Sequence, residues 1–417
     1  MSRAASIGGF PMKLLAGAAM TALMFASASQ AAIHKVAAGK DAQERLQSAL
    51  IDAKPGDTVL IGPGKFELTD GLSLDVKNVT VKGSGQDKTI LDFHGQMAAG
   101  EGLMITSNGV TVRDLTVIDA KGDAVKAKGV DQISFIDMKV DWSGPPKAGN
   151  GAYGVYPVSS TNVLIDGVTV RGASDAGIYV GQSKNIIVKR SKAEFNVAGI
   201  EIENSMNADV HDNVSTHNAG GILIFDLPNL PQQGGHSHRI FHNRIVDNDT
   251  QNFAPKGNIV ASVPTGTGVL VMANHDIHVF DNTIAGNASV AIMLIGYKRE
   301  IKDAKYEALP TDVVIRDNKI GRNGWDPQID GMKGLSLPPV LWDGATHFVR
   351  NGEPQDRAVN VVIKDGPVLN LHLADITDMA TAKPKPVPSV EGKPVAEPKP
   401  VVLPSTQARL SKAAAKK

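Results

Sequence analysis

The sequence predicts an all-β chain, a single-stranded right-handed parallel β-helix with a capping helix at its N-terminal end. Three observations point there. Glycine-led blocks recur at a fixed period: Gly177-Ile178-Tyr179-Val180, Gly199-Ile200-Glu201-Ile202 and Gly221-Ile222-Leu223-Ile224 follow one another at 22 residues, with Gly154-Val155-Tyr156-Pro157 standing 23 residues before the first. Within each block apolar residues alternate with variable ones, the period-2 signature of a strand. No repeat has room for the crossover helix that a TIM barrel or a doubly wound sheet requires, and a propeller would repeat at ~40–50 residues.

The elements follow in chain order. Residues 1–31 read as a secretory signal peptide: Arg3 and Lys13 supply positive charge, Leu14 to Ala28 is apolar, and Ser29-Gln30-Ala31 is a small-x-small cleavage site. The run is shorter than the ~20 residues of a membrane span. No later run is longer, so the expectation is an exported protein, periplasmic or secreted, with no transmembrane span. Asp41 to Ala53 places Ala42, Leu46, Ala49 and Leu50 on one helical face. A helix there caps the first apolar layer and keeps it from pairing with another chain.

The β-helix is expected over residues 32–379. A second strand series, Asn162-Val163-Leu164-Ile165, Asn185-Ile186-Ile187-Val188 and Asp312-Val313-Val314-Ile315 among them, alternates with the glycine blocks. Such repeats bury a continuous core only by stacking, with Val155, Ile178, Ile200, Ile222, Val269 and Ile292 as one inward ladder. Asparagines recur at two corners, Asn213, Asn243, Asn282 and Asn318 at one, Asn196, Asn218, Asn248, Asn287 and Asn323 at the other. Stacked copies of an amide hydrogen-bond to one another. Two insertions, Leu227 to Gly235 and Thr250 to Thr267, break the period and are expected to wall one side of the Gly-Ile-x-Ile face. Beyond Asn323 the pattern fades into an irregular C-terminal cap, with Val359 to Ile363 as one more strand. Residues 380–417 alternate prolines with Lys383, Lys385, Lys393 and Lys399, and read as a disordered Pro/Lys-rich tail.

Composition narrows the function. The 417 residues contain no cysteine, which excludes a disulfide scaffold, a zinc–thiolate site, an iron–sulfur cluster and a cysteine nucleophile. Forty-three basic residues balance 43 acidic ones, which argues against a nucleic-acid binder. Between signal and tail the count is 33 basic against 41 acidic. An acidic rod of this kind disfavours a polyanionic substrate such as alginate or pectate. Aromatics at 5% leave an aliphatic core.

Side chains pointing outward from the Gly-Ile-x-Ile sheet form two columns: Tyr156, Tyr179, Glu201, Leu223, Leu270, Met293 and Val158, Gly181, Glu203, Phe225, Met272, Ile295. Tyr156, Tyr179, Glu201 and Glu203 then share one outer patch, bordered by Asp175 and Asp226. These six are the substrate-binding candidates, since aromatics beside carboxylates suit a sugar chain. Alternate strand positions lie ~6.6 Å apart, which brings Glu201 and Glu203 near the carboxyl separation of an inverting hydrolase. Seven of the 11 histidines fall between 211 and 278. His236 and His238, beside the first insertion, are the metal candidates, because imidazole and carboxylate are the ligands left to a chain without thiols. Calcium at Asp175, Glu201 and Asp226 is a further expectation. No cofactor is specified.

The capping segment "KPGDTVLIGPGKFEL" resembles the N-terminal cap of pectin-lyase-like β-helix proteins. "NIIVKRSKAEFNVAGIEIENS" and "ADVHDNVSTHNAGGILIFD" resemble their carbohydrate-binding and sugar-hydrolase type repeats. The whole is similar to exported bacterial parallel β-helix repeat proteins, a resemblance that implies an exported cytochrome c as partner. Tyr153-Gly154-Val155-Tyr156-Pro157 resembles the segment leading into the Asp-Pro-His-Asp motif of mannuronan C5-epimerases. Here it continues Val158-Ser159-Ser160, so the histidine base and both aspartates are missing. The polygalacturonase motifs are missing too. The expectation is a carbohydrate-binding or partner-binding solenoid of the cell envelope. The alternative is a polysaccharide lyase, hydrolase or epimerase with a non-standard site on the Gly-Ile-x-Ile sheet.

Overall fold

The computed structural model describes residues 31–98, 100–374 and 376–414. The expected signal at 1–31 lies outside the described residues except for Ala31. Among the described residues no helix is long and apolar enough to cross a membrane.

The chain coils as a right-handed parallel β-helix through three sheets. A back sheet holds strands such as Thr161–Asp166, Lys184–Lys189 and Met206–His211; a short sheet holds Thr169–Arg171, Lys192–Glu194 and Val214–Thr216; a front sheet holds Ala176–Gly181, Ala198–Glu203 and Gly220–Phe225. Coil-to-coil pairing is parallel and without slip, Ile178 beside Ile200, Ile222, Val269 and Ile292 in turn. That inward ladder is fully buried. Alternation along each strand decides which side faces the core, and a one-residue slip would turn every isoleucine outward. Gly199 precedes its isoleucine because nothing larger fits: an added Cβ would lie 2.3 Å from Ser215 Oγ and 2.6 Å from the Gly221 carbonyl oxygen.

The ends and corners follow the sequence. Helix α1, Ala42–Asp52, buries Ala42, Leu46 and Leu50 against the first coil. Buried asparagines form two ladders. Asn196 Nδ2 donates to Asn218 Oδ1, Asn218 to Asn248, Asn248 to Asn287 and Asn287 to Asn323, all at 2.9–3.0 Å. The other runs Asn213, Asn243, Asn282, Asn318 and ends on Asp365. Val361–Ile363 adds the expected late strand to the back sheet.

The tail departs from the expectation of disorder. Lys385–Val387 pairs antiparallel with Val368–Asn370, and Val390 bridges Ile363. The chain then runs back across the outer face of the back sheet. Glu397 sits between Arg239 and Arg316, at 3.0 and 2.8 Å, and the Val401 N–H donates to Asp209 at 3.1 Å. Helix α2, Ser405–Ala414, ends the strap. Gln407 Nε2 donates to the carbonyls of Ile133 and Asn162 at 3.0 and 2.9 Å and to Ser134 Oγ at 3.1 Å, and Ser411 donates to Asp166 at 2.6 Å. Leu403 and Ala414 cover Ile136 and Leu164. The tail has no core of its own and borrows this outward apolar spot. Losing these side-chain bonds in a Gln407→Ala, Ser411→Ala double variant removes about 3 kcal/mol of docking. Limited proteolysis should then cut the strap about 100-fold faster while the solenoid stays intact. An unchanged cleavage rate would show that α2 does not anchor it.

Candidate functional site

The front-sheet register puts Tyr179, Glu201, Leu223, Leu270 and Met293 in one outward column and Gly181, Glu203, Phe225, Met272 and Ile295 in the next, as the spacing predicts. The exposed patch itself is not found. Relative exposure is 5% at Asp175, 4% at Tyr179, 1% at Glu201, 8% at Glu203 and 0% at Asp226. The Thr250–Thr267 insertion folds over the sheet and does more than wall its side. Its Val260 and Val263 pack among Tyr179, Ala198, Ala219 and Leu223, and Asn258 Nδ2 donates to Asp175 Oδ2 at 2.8 Å.

Inside this cover the groups form a bonded cluster. Tyr179 Oη donates to Glu203 Oε1 at 2.7 Å. Gly181 makes that possible, since a Cβ there would stand 2.3 Å from the Tyr179 hydroxyl. Glu201 stands two positions before Glu203 on the same strand, and its Oε2 is buried with no partner. Burial pushes both carboxyls above the usual carboxylate range. With Glu201 1% and Glu203 8% exposed, neither faces an open cleft where a sugar could lie between an acid and a base-activated water, as an inverting pair requires. Burial pushes Asp175 up to about 7, against the opposing hydrogen bonds from Asn258 and Tyr153. Asp226, also pushed up to about 7 by burial, accepts the N–H groups of Gly234 and Gly235 at 3.1 and 2.9 Å. It closes the Leu227–Gly235 insertion and does not border an open site.

At one end the cluster reaches solvent through the candidate Tyr156 and two residues that the 22-residue alignment passes over, Tyr153 and Lys126. The rings of Tyr153, Tyr156 and Tyr179 meet with centroids 4.5–4.8 Å apart. Tyr153 and Tyr156 are half-buried, whereas Tyr179 is sealed behind them. Lys126 Nζ lies 4.7 Å from the Tyr156 ring centroid and pairs with Glu101 at 2.9 Å and Asp123 at 3.0 Å. Burial alone would lower the Lys126 pKa, and the two carboxylates outweigh it and raise it. Lys126 is the Tyr156 counterpart one coil earlier. The connection between Lys139–Asp141 and Tyr153–Val158 lengthens that coil, which hides the correspondence from the repeat. The usable signal was Val125 aligning beneath Val155.

The histidine pair does not converge. Ser237 has φ 62°, a left-handed corner between His236 and His238. The strand's alternation therefore restarts there: His238 pairs between Ala208 and Ile277 in the inward column and is fully buried, while His236 stays half-buried, its Nδ1 2.7 Å from the Gly234 carbonyl. Burial pushes the His238 imidazole down to about 3. Among the described residues no three histidine or carboxylate groups are placed to hold a metal ion. Nothing in the arrangement supports the His236–His238 expectation or calcium at Asp175, Glu201 and Asp226: burial pushes the Glu201 carboxyl above the usual carboxylate range, and both Asp226 oxygens accept backbone N–H groups. His211 instead stacks on Phe241 at 4.8 Å, and Phe241 on Phe280 at 5.2 Å.

No curated protein sequence matches the chain. In structure it is similar to the A-module of the Azotobacter vinelandii mannuronan C-5 epimerase AlgE4, at 13% identity and a TM-score of 0.47 over 76% of this chain and 91% of that one. The A-module of AlgE6 from the same organism is similar at 15% identity and a TM-score of 0.47, over 74% and 88%. DFA-IIIase from Arthrobacter chlorophenolicus A6 is similar at 12% identity and a TM-score of 0.46, over 76% and 92%. Residues 101–254, the stretch that carries the tyrosine mouth and the carboxyl cluster, match the family model of the right-handed β-helix region.

Proposed function

We propose that the chain is an exported solenoid that binds carbohydrate at the Tyr153–Tyr156 mouth of the front sheet. One observation carries the reading: two half-buried tyrosine rings open to solvent beside Lys126, Glu101 and Asp123, while every carboxyl of the cluster behind them is sealed. Aromatic rings offer an apolar body for a sugar face, and charged groups at the rim bond hydroxyls strongly. Two carboxylates against one ammonium favour a neutral sugar over a uronate chain. The charge and hydropathy pattern of residues 1–31 supports export, which the intact mass of the mature chain recovered outside the cytoplasm checks. The site offers nothing that points to the cytochrome c partner.

The test is calorimetric titration with a panel of neutral and uronate oligosaccharides. Tyr156→Ala is expected to weaken the binding of a neutral oligosaccharide about tenfold, the loss of one aromatic contact of about 1.4 kcal/mol. Equal affinity in the variant would remove the mouth as the site. A second reading, lyase, hydrolase or epimerase chemistry, draws on Asp175 standing near 7 in contact with Tyr153, with Lys126 as the cation that a tyrosine acid or base needs. Unsaturated product, new reducing ends or exchange of a C5 proton by the parent chain, abolished in Asp175→Asn, would replace the binding reading with this one.

A further inference from the structure

Past Glu203 the outward columns of the front sheet turn wholly apolar, through Leu223, Phe225, Leu270, Met272, Met293 and Ile295. The insertion and the C-terminal cap cover most of this strip. They leave a cavity of about 230 Å³ above Met272 and Met293, walled by Ile259 of the insertion and by Met332 and Met379 of the cap. Four thioether side chains on one cavity are an adaptable lining, since methionine is unbranched and repacks around different shapes.

Charge at this cavity is one-sided. Asp343 touches it, but both its oxygens are taken, by the Gly296 N–H at 2.7 Å and the Ala345 N–H at 3.1 Å. Burial raises its pKa, against those two hydrogen bonds and the positive charge of Lys298. At the rim stand Lys298 and Arg299, both exposed. Among the described residues neither has an ion-pair partner. Lys298 Nζ meets only the thioether sulfur of Met379, at 3.9 Å. An apolar slot under two unpaired cations is complementary to one kind of molecule.

We propose that this cavity binds the aliphatic chain of an anionic amphiphile, with the chain among the methionines and a carboxylate head held by Lys298 and Arg299. The site is separate from the tyrosine mouth and does not depend on the carbohydrate reading.

The experiment titrates the full chain with hexanoate, octanoate and decanoate, below their aggregation concentrations, and with decanol and decyltrimethylammonium. Affinity is expected to rise about fourfold for each methylene added until the cavity is full. Decanoate is expected to bind at least about tenfold more tightly than decanol, and decyltrimethylammonium more weakly than either. The double variant Lys298→Glu, Arg299→Glu, at exposed positions that the fold does not need, should bring decanoate down to or below the decanol level and leave decanol unchanged. A filling variant, Met332→Trp, should block all three. Affinity that is flat across the alkanoate series, equal binding of the cationic amphiphile, or a charge-reversed variant that still holds decanoate at full strength would each overturn the proposal.

Discussion

Asn218→Ala is expected to cost about 4 kcal/mol of unfolding free energy, more than most core truncations. Asn218 is fully buried in the middle of its ladder. Its Oδ1 accepts both the backbone N–H and the side-chain Nδ2 of Asn196, each at 3.0 Å. Its own Nδ2 shares its two hydrogens among Asn248 Oδ1, the Ala193 and Thr216 carbonyls and Ser215 Oγ at 3.0–3.1 Å. Alanine fulfils none of these. Each buried donor or acceptor left without a partner costs about 1–3 kcal/mol, and the Asn196 backbone N–H has no water to turn to. Asn162→Gly is the control, because Asn162 lies at φ 55°, where alanine would add strain of its own and glycine adds none. Asn162 is half-buried, bonded to Asp131 at 2.7 Å and Asn185 at 3.2 Å, and water can replace those bonds, so its cost should stay below about 1 kcal/mol. Urea unfolding of both variants decides. Because coils are coupled to their neighbours, the loss should show first as early unfolding of the middle coils. Equal costs for the two would mean that the buried ladder contributes no more than a surface one.

Asp175→Asn is expected to stabilise the protein at pH 8 and to leave it nearly unchanged at pH 4. The ordinary Asp175 pKa of 3.8 rises to about 7 in the fold, chiefly through burial. A carboxyl with a raised folded-state pKa binds its proton more tightly folded than unfolded. Its contribution to stability is therefore complete below 3.8 and is lost as pH climbs through 7. At about 1.4 kcal/mol per unit, the loss approaches about 4 kcal/mol. Asparagine carries no such proton, so the difference between variant and parent should grow across this window. Its Oδ1 still accepts the Asn258 bond. Buried histidines act in the opposite sense and must be cancelled by taking that difference. His238, held down to about 3, and His275, held down to about 4, contribute stability above 6.5 that is lost as pH falls. Guanidinium unfolding of both proteins at pH 4, 6 and 8 measures the effect. A gap that is flat with pH would mean that solvent reaches Asp175. A group kept at such a cost beside the tyrosine mouth fits a site where function is maintained against stability.

The groups around Asp175 also show where reading the sequence stops. Glu201 and Glu203 were legible as outward neighbours on one strand, and the register confirms that. Their burial was not, because it depends on the cover laid over them. Asn258 meets Asp175 across 83 residues of chain. Tyr306, whose hydroxyl donates to the Asp226 carbonyl at 2.6 Å, comes from beyond the recognisable repeat. Lys126, the cation of the mouth, was hidden by a single long connection that shifted its coil out of period.

By itself the sequence determined the coil: the inward isoleucine ladder, the two asparagine corners and the capping helix. Those features repeat locally, and a strand's alternation with one residue type per position leaves a single way to stack. Tertiary structure alone decided which outward residues see water. The Pro/Lys tail has no periodicity, yet Gln407 docks on Ile133 across 274 residues because the back sheet exposes apolar side chains and free carbonyls there. His238 is different: Ser237 holds the left-handed corner that Asn162, Asn185, Asn207 and Asp276 hold in the neighbouring coils, so the repeat itself turns the histidine into the inward column of Ile186, Ala208 and Ile277. Burial is a property of what lands on a surface from elsewhere in the chain, and no periodic pattern encodes that.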